Sequence, residues 1–160
     1  MDRALDDNLA EQEANVPVKD EETEKALLSI CIRRSDVLNN VVSRKLVKED
    51  FADRRNGLIF EAIDRLYIEN GKIDRVNICS QLEKDGNLNA AGGTEYVFAV
   101  ANTVAVASNV DSYVNIVREK SSLRQLLSAF DEFRSRASSG KDSVNGVVDY
   151  SIERLSTMRE

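Results

Sequence analysis

Residues 109–138 read NVDSYVNIVREKSSLRQLLSAFDEFRSRAS, thirty positions without a proline or a glycine. The apolar residues are Val110, Tyr113, Val114, Val117, Leu123, Leu127, Phe130, Phe133 and Ala137, mostly three or four apart, with one gap bridged by Lys120 or Ser121. That is the period of one helix face. At about 1.5 Å per residue the helix reaches roughly 45 Å, whereas a compact chain of this length has a radius of gyration near ~15 Å. A helix that overshoots its own domain packs against a second helix or a second chain. The second helix follows at once: after Ser138-Ser139-Gly140-Lys141-Asp142 comes SVNGVVDYSIERLSTM, in which Val144, Val147 or Val148, Ser151 or Ile152, Leu155 and Met158 again fall at threes and fours. A short glycine-containing loop between two apolar-faced helices predicts an antiparallel hairpin.

Two readings of that hairpin stand side by side. In one it is a helix pair within the chain's own core. In the other its stripe stays partly uncovered and is a protein–protein surface. On the second reading Val117, Leu123, Leu127, Phe130 and Phe133 from the first helix line the interface with Val147, Val148, Ile152 and Leu155 from the second. A second hairpin laid antiparallel closes a four-helix arrangement with Phe130 or Leu127 near its centre.

Composition narrows the rest. With 42% hydrophobic and 31% charged residues the chain has the balance of a soluble globular protein. It holds no apolar run near the ~18 residues needed to span a bilayer, and its acidic start lacks the apolar segment of a secretion signal. There is no histidine, which excludes histidine-based triads and mixed Cys/His zinc sites. Cys31 and Cys79 lie in apolar helical contexts and read as two buried thiols rather than a disulfide. The net charge of −6 is confined to the front: residues 1–25 hold nine acids and three bases, leaving nineteen of each sign over the remainder. Without a basic field, tight binding to a phosphate backbone is not expected.

Residues 1–19 are polar and acidic and read as a mobile tail ending at the single proline, Pro17. A first helix starts near Asp20–Glu22, where acids favour an N-terminus, and buries Ala26, Leu27, Ile30 and Cys31. Ser35 or Asp36 caps a short second helix. Lys48-Glu49-Asp50-Phe51 is a turn with one aromatic anchor. Asp53 caps a third helix that Asn70-Gly71 stops, and Asp74 caps a fourth that ends at Asp85-Gly86. Gly92-Gly93 opens a fifth through Val106. No segment shows a clean two-residue alternation. The fold class is therefore all-α: a small multi-helix globular head over 20–106, then a long antiparallel helical hairpin over 107–160.

A search for chemistry finds no active site. Gly92-Gly93 reads as a structural turn, because the phosphate-binding string G-x-x-x-x-G-K-[ST] and the dinucleotide fingerprint are both absent. Carboxylate pairs such as Glu21/Glu22 sit in solvated helix starts. Arg118, Lys120 and Arg124 form a short basic cluster on the long helix, read as a solvated face making i,i+4 contacts or as a site where a partner docks.

The order of turns and anchors resembles the N-terminal domain of the bacterial replicative DNA helicase, the DnaB family. The resemblance is carried by Pro17, Glu22, Glu24 and Ala26-Leu27-Leu28, then Glu49-Asp50-Phe51, then Ile59-Phe60-Glu61-Ala62-Ile63-Asp64-Arg65-Leu66. Gly71, Ile73 and Asp74 follow, then Leu82, Gly86, Leu88, Gly92, Gly93 and Tyr96, and finally Tyr113, Ile116-Val117, Glu119-Lys120 and Arg124. It covers residues 17–158 without a large gap. Ser29 stands where the family usually has glycine, Asn56 where it commonly has histidine, and the Pro17-to-Glu24 spacing is one residue longer. The resemblance implies a non-catalytic collar whose hairpins pair between subunits, as dimers that assemble into a trimer of dimers on a hexameric motor. It also implies contact with a primase, location in the bacterial cytoplasm at the replication fork, no membrane association and weak or no direct DNA binding. This chain would hold no cofactor; ATP and magnesium would belong to a motor domain following a linker after residue 160. Two alternatives share the helical architecture or the setting: the helicase-binding C-terminal domain of a primase, and a stand-alone replication adaptor. The Gly92-Gly93 and Tyr113-to-Arg124 patterns favour the helicase.

Overall fold

Side chains that accept backbone N–H groups set where most of the helices begin. In the computed structural model, which describes residues 18–158, Asp20 takes the amide of Thr23 at 3.0 Å and starts α1, Glu21–Arg33. Asp53 takes that of Arg55 at 2.9 Å and starts α3, Arg54–Ile68. Asp74 takes those of Val76 and Asn77 at 3.0 and 2.9 Å and starts α4, Arg75–Lys84. Each satisfies donors that the first helical turn leaves without a partner. α2, Ser35–Ser43, departs from expectation. Arg34 occupies its cap position without a side-chain bond, and Asp36 pairs instead with the Arg34 guanidinium at 2.8 Å. A single 3-10 turn at Lys48–Asp50 leads into α3, and α5 spans Gly93–Ala101. After a second such turn, Ala107–Asn109, α6 runs over Val110–Ser139 and α7 over Val144–Thr157. No strand occurs among the described residues.

At the end of α3 the left-handed residue is Asn70, with φ 54°, and not the glycine after it. The Gly71 amide then donates to the Leu66 carbonyl at 2.7 Å, closing the helix. The predicted fifth helix overran. α5 stops at Ala101, and Val104 beyond it is 91% exposed. The cause lies on α1: the Ser29 hydroxyl donates to the Ala101 and Thr103 carbonyls at 3.3 and 2.7 Å, and Arg33 donates to Thr103 at 3.0 Å. These contacts tie the chain to α1 where its own composition would tolerate another helical turn.

The core forms around α1. Leu27, Leu28, Ile30 and Cys31 meet Leu38 and Val41 of α2, Ile59, Phe60 and Ile63 of α3, Ile78 and Leu82 of α4, and Val97 and Val100 of α5. It does not end at residue 106. Val110, Val114 and Val117, on the first turns of α6, belong to the same cluster. This corrects the placement of Val117 on an intersubunit surface: its side chain is 2% exposed and packs within its own chain. Cys31 is a buried free thiol and Cys79 a half-buried one. Burial pushes the Cys31 thiol up to about 12. The acidic tail read over residues 1–19 falls outside the described residues as far as Pro17.

Candidate protein–protein interface on the helical hairpin

Ser121 is buried and donates to Asp50 at 2.8 Å, and beyond Arg124 α6 leaves the head. Gly140 ends it with φ 64°, a left-handed conformation that costs glycine little. Ser143 then caps α7 by accepting the Gly146 amide at 3.1 Å. The two helices are held by one edge of each. Phe133 packs edge-on against Tyr150 with ring centroids 6.1 Å apart, and the Arg136 guanidinium lies 3.8 Å over the Tyr150 ring. The Tyr150 hydroxyl donates to Glu132, Arg154 approaches the same carboxylate at 3.8 Å, and Arg136 pairs with Asp142 at 3.1 Å. The hydrogen bond to Glu132 is the leading reason the Tyr150 phenol is shifted upward.

The sequence reading set Leu123, Leu127, Phe130 and Phe133 against Val147, Val148, Ile152 and Leu155. The structure divides these eight. Phe133, Val147, Leu123 and Leu155 are half-buried. Leu127 and Phe130 on α6, and Val148 and Ile152 on α7, are exposed, Phe130 at 50% and Ile152 at 60%. Val144, spaced four before Val148, adds an exposed position that the candidate set omitted. Both helices of the hairpin thus carry exposed apolar residues, Leu127 and Phe130 on α6 and Val144, Val148 and Ile152 at four-residue spacing on α7. An uncovered patch of large apolar side chains marks a site of association.

The basic cluster fares differently. Arg124 donates to the Val18 carbonyl at 2.9 Å and to the Asp50 carbonyl at 2.7 Å, and Arg118 donates to the Arg44 carbonyl. Lys120 lies close enough to Asp20 to help lower that carboxylate, behind the larger effect of its hydrogen bonds to Thr23. Arg118 and Arg124 thus tie α6 to the head rather than presenting an open docking surface.

One polar group escaped the sequence reading. Glu24, named in the sequence only as a position of the family resemblance, is fully buried. It accepts from the Ala52 amide, from the Asp53 amide at 3.3 Å and from the Asn56 amide group at 2.9 Å. Asn56 in turn accepts the Tyr96 hydroxyl at 2.9 Å, and Arg55 lies 3.9 Å over the Tyr96 ring. Burial raises the Glu24 carboxyl above its ordinary range despite these donors, and burial likewise pushes Tyr96 up to about 12. Every member of the network has a partner, and it clasps α1, α3 and α5 together.

Comparison with known proteins agrees with this architecture. The family model for the DnaB-like helicase N terminal domain matches residues 16–119. The replicative DNA helicase DnaB of Rhodothermus marinus is 32% identical over 112 residues, which are 70% of this chain and 12% of that protein. The replicative DNA helicase DnaC of Bacillus subtilis strain 168 is 31% identical over 112 residues, 70% of this chain and 24% of that protein. Among solved structures, the N-terminal domain of DnaB helicase from Mycobacterium tuberculosis superposes with a TM-score of 0.79 at 28% identity, covering 88% of this chain and 99% of that one. The chain therefore spans a quarter or less of the length of these two curated helicases, and the match covers nearly all of the solved Mycobacterium tuberculosis domain. The reading as a primase domain gives way, since the matched model is the helicase's own. On the helix order, the hairpin and these matches together, this chain belongs to the family of DnaB-like helicase N-terminal domains.

Proposed function

We propose that this chain acts as a non-catalytic collar of a replicative helicase, self-associating through its hairpin and serving as a contact for a primase. The observation that carries the reading is the exposed stripe of Leu127, Phe130, Val144, Val148 and Ile152. A second hairpin laid antiparallel over these residues covers the exposed positions of both helices at once. Each large apolar side chain so buried contributes about 1.5–3 kcal/mol before association costs. A handful of them suffices for micromolar dimerisation, about 8 kcal/mol. Three such dimers on a hexameric motor give the collar its ring, with ATP and magnesium handled by the motor and DNA touched weakly, if at all, by the collar. Family membership supports the replication setting and the primase as partner.

Phe130→Glu tests the reading. Phe130 is half exposed, so the variant keeps its helix content by circular dichroism while light scattering shows a dimer turned to monomer. Unfolding of the hairpin by this change, or a wild type monomeric at concentrations on the order of hundreds of micromolar, would overturn the proposed interface.

A further inference from the structure

At the C-terminal end of α1, on the head, two hollows share one side chain. The larger, about 450 Å³, has an apolar lining of Ile32, Leu38, Tyr67 and Ile73 and two cations, Arg33 and Lys72. The smaller, about 230 Å³, is lined by Ile30, Ala105, Ala107, Arg34 and again Arg33. No aspartate or glutamate lines either one, in a chain whose net charge is −6.

The cations are loosely engaged. Among the described residues the Arg33 guanidinium meets only carbonyls, those of Ser29 at 3.3 Å and Thr103 at 3.0 Å. A guanidinium carries five N–H donors, so three of them stay open. Arg34 pairs with Asp36 at 2.8 Å and Lys72 with Asp74 at 3.4 Å, both at the surface. Surface pairs of this kind hold weakly, and a ligand carboxylate can replace either acid. Beside the smaller hollow the chain itself is open. Val104 is 91% exposed and Val106 is 54% exposed. Neither the amide nor the carbonyl of Val104 or Ala105 bonds to another described residue. Such a segment can pair through its backbone with an extended peptide, while neighbouring hollows take alternate side chains.

We infer that the two hollows and residues 104–106 bind a short extended segment of a partner protein, one in which a carboxylate lies close to a large apolar side chain. The carboxylate meets Arg33 and the cations on either side of it, with charge-assisted hydrogen bonds to the open donors. The apolar side chain enters the larger hollow, whose size is within the range of ligand sites. Charge complementarity and the apolar lining together select this occupant. Three cations release few counterions from a nucleic-acid backbone, and the apolar lining has nothing to offer a phosphodiester. The site is separate from the hairpin surface and does not depend on self-association.

The probe is a short acetylated and amidated peptide with glutamates flanking a leucine, titrated into the isotope-labelled full chain and followed by NMR. The amide signals of Arg33, Ile73, Val104 and Ala105 should move together and saturate with a dissociation constant on the order of 10⁻⁴ M, weakening as salt is added. Val104→Asp changes a side chain that lies almost wholly in solvent, so the fold is retained, and it should weaken the peptide about tenfold. Arg33→Gln, which keeps a donor for the Thr103 carbonyl, should weaken it roughly fivefold. The counterpart peptide with lysines in place of the glutamates should move none of these signals. Absence of the shifts at peptide concentrations on the order of millimolar overturns the inference, as does equal binding by the lysine peptide or by both variants. So do the same shifts from a single-stranded oligonucleotide, which would assign the hollows to phosphates. Shifts at these residues from raising the protein concentration alone would assign them to a second copy of the chain and overturn it too.

Discussion

Glu24 enters the folded state with its carboxylate out of water and three donors turned toward it. Glu24→Ala would leave the Ala52 and Asp53 amides and the Asn56 amide group without their acceptor, and each stranded buried group costs about 1–3 kcal/mol. Its titration runs opposite to that of the cap residues. Burial raises the folded pKa of Glu24, so the stability linked to this group is full below the ordinary glutamate value, about 4.3, and is lost as pH rises through the folded value. Asp20 and Asp74, lowered first by backbone amides, and Asp53, lowered first by its bond to Arg55, contribute stability above the ordinary aspartate range and lose it as pH falls through their depressed values. The expected outcome for Glu24→Gln is a urea midpoint that improves relative to wild type as pH is raised from 4 toward 7. A pH-independent loss, from setting the new amide against Asn56, is superposed on it. Denaturation at a series of pH values checks the sign: a difference that does not change with pH would contradict a raised Glu24.

Among the elements, α6 has two environments under one periodicity. Its first turns bury Val110, Val114 and Val117 against the head, while its last four turns hold Ala129 as their buried apolar position. No residue of α7 is fully buried. A fourteen-residue helix has marginal stability alone in water, so α7 depends on its edge with α6, where Tyr150 joins Phe133, Arg136 and Glu132. Tyr150→Ala in the monomer should lower amide-exchange protection throughout α7 while protection in α1 and over residues 110–121 stays at the wild-type level. Equal loss in both regions would show that hairpin and head open as one unit. Self-association should restore much of the protection, since a covering hairpin supplies the packing that α7 lacks.

At the scale of the molecule, charge and interface are segregated. Nineteen acids and nineteen bases balance over residues 26–160, Arg118 and Arg124 are engaged by carbonyls of the head, and the excess acid lies in front. No helix of the described residues is long and apolar enough to cross a membrane. What the surface offers to a large partner is an apolar hairpin rather than a basic groove. Binding to a single-stranded oligonucleotide at physiological salt is therefore expected at ~10⁻⁴ M or weaker. Fluorescence anisotropy checks this, and a sub-micromolar constant would contradict it.

The sequence by itself determined the helices and most of their ends. Asp53, Asp74 and Ser143 act on amides two or three residues away, Gly140 turns the chain where it stands, and the 3.6-residue period needs no distant partner. The same local information, joined to a run of short motifs, was enough for the family. Tertiary structure decided which apolar residues are covered. Val117 and Phe130 satisfy one helical period equally, and they differ because α1 lies beside the first turns of α6 and nothing in the chain's head lies beside the later ones. It also decided that Glu24 is a buried clasp, since its donors come from residues 52–56, and that α5 ends at Ala101, since the groups donating to the Ala101 and Thr103 carbonyls are on α1, more than seventy residues earlier. Periodicity reports which face of a helix is apolar; what covers that face depends on contacts between residues far apart in the chain, and no local pattern encodes them.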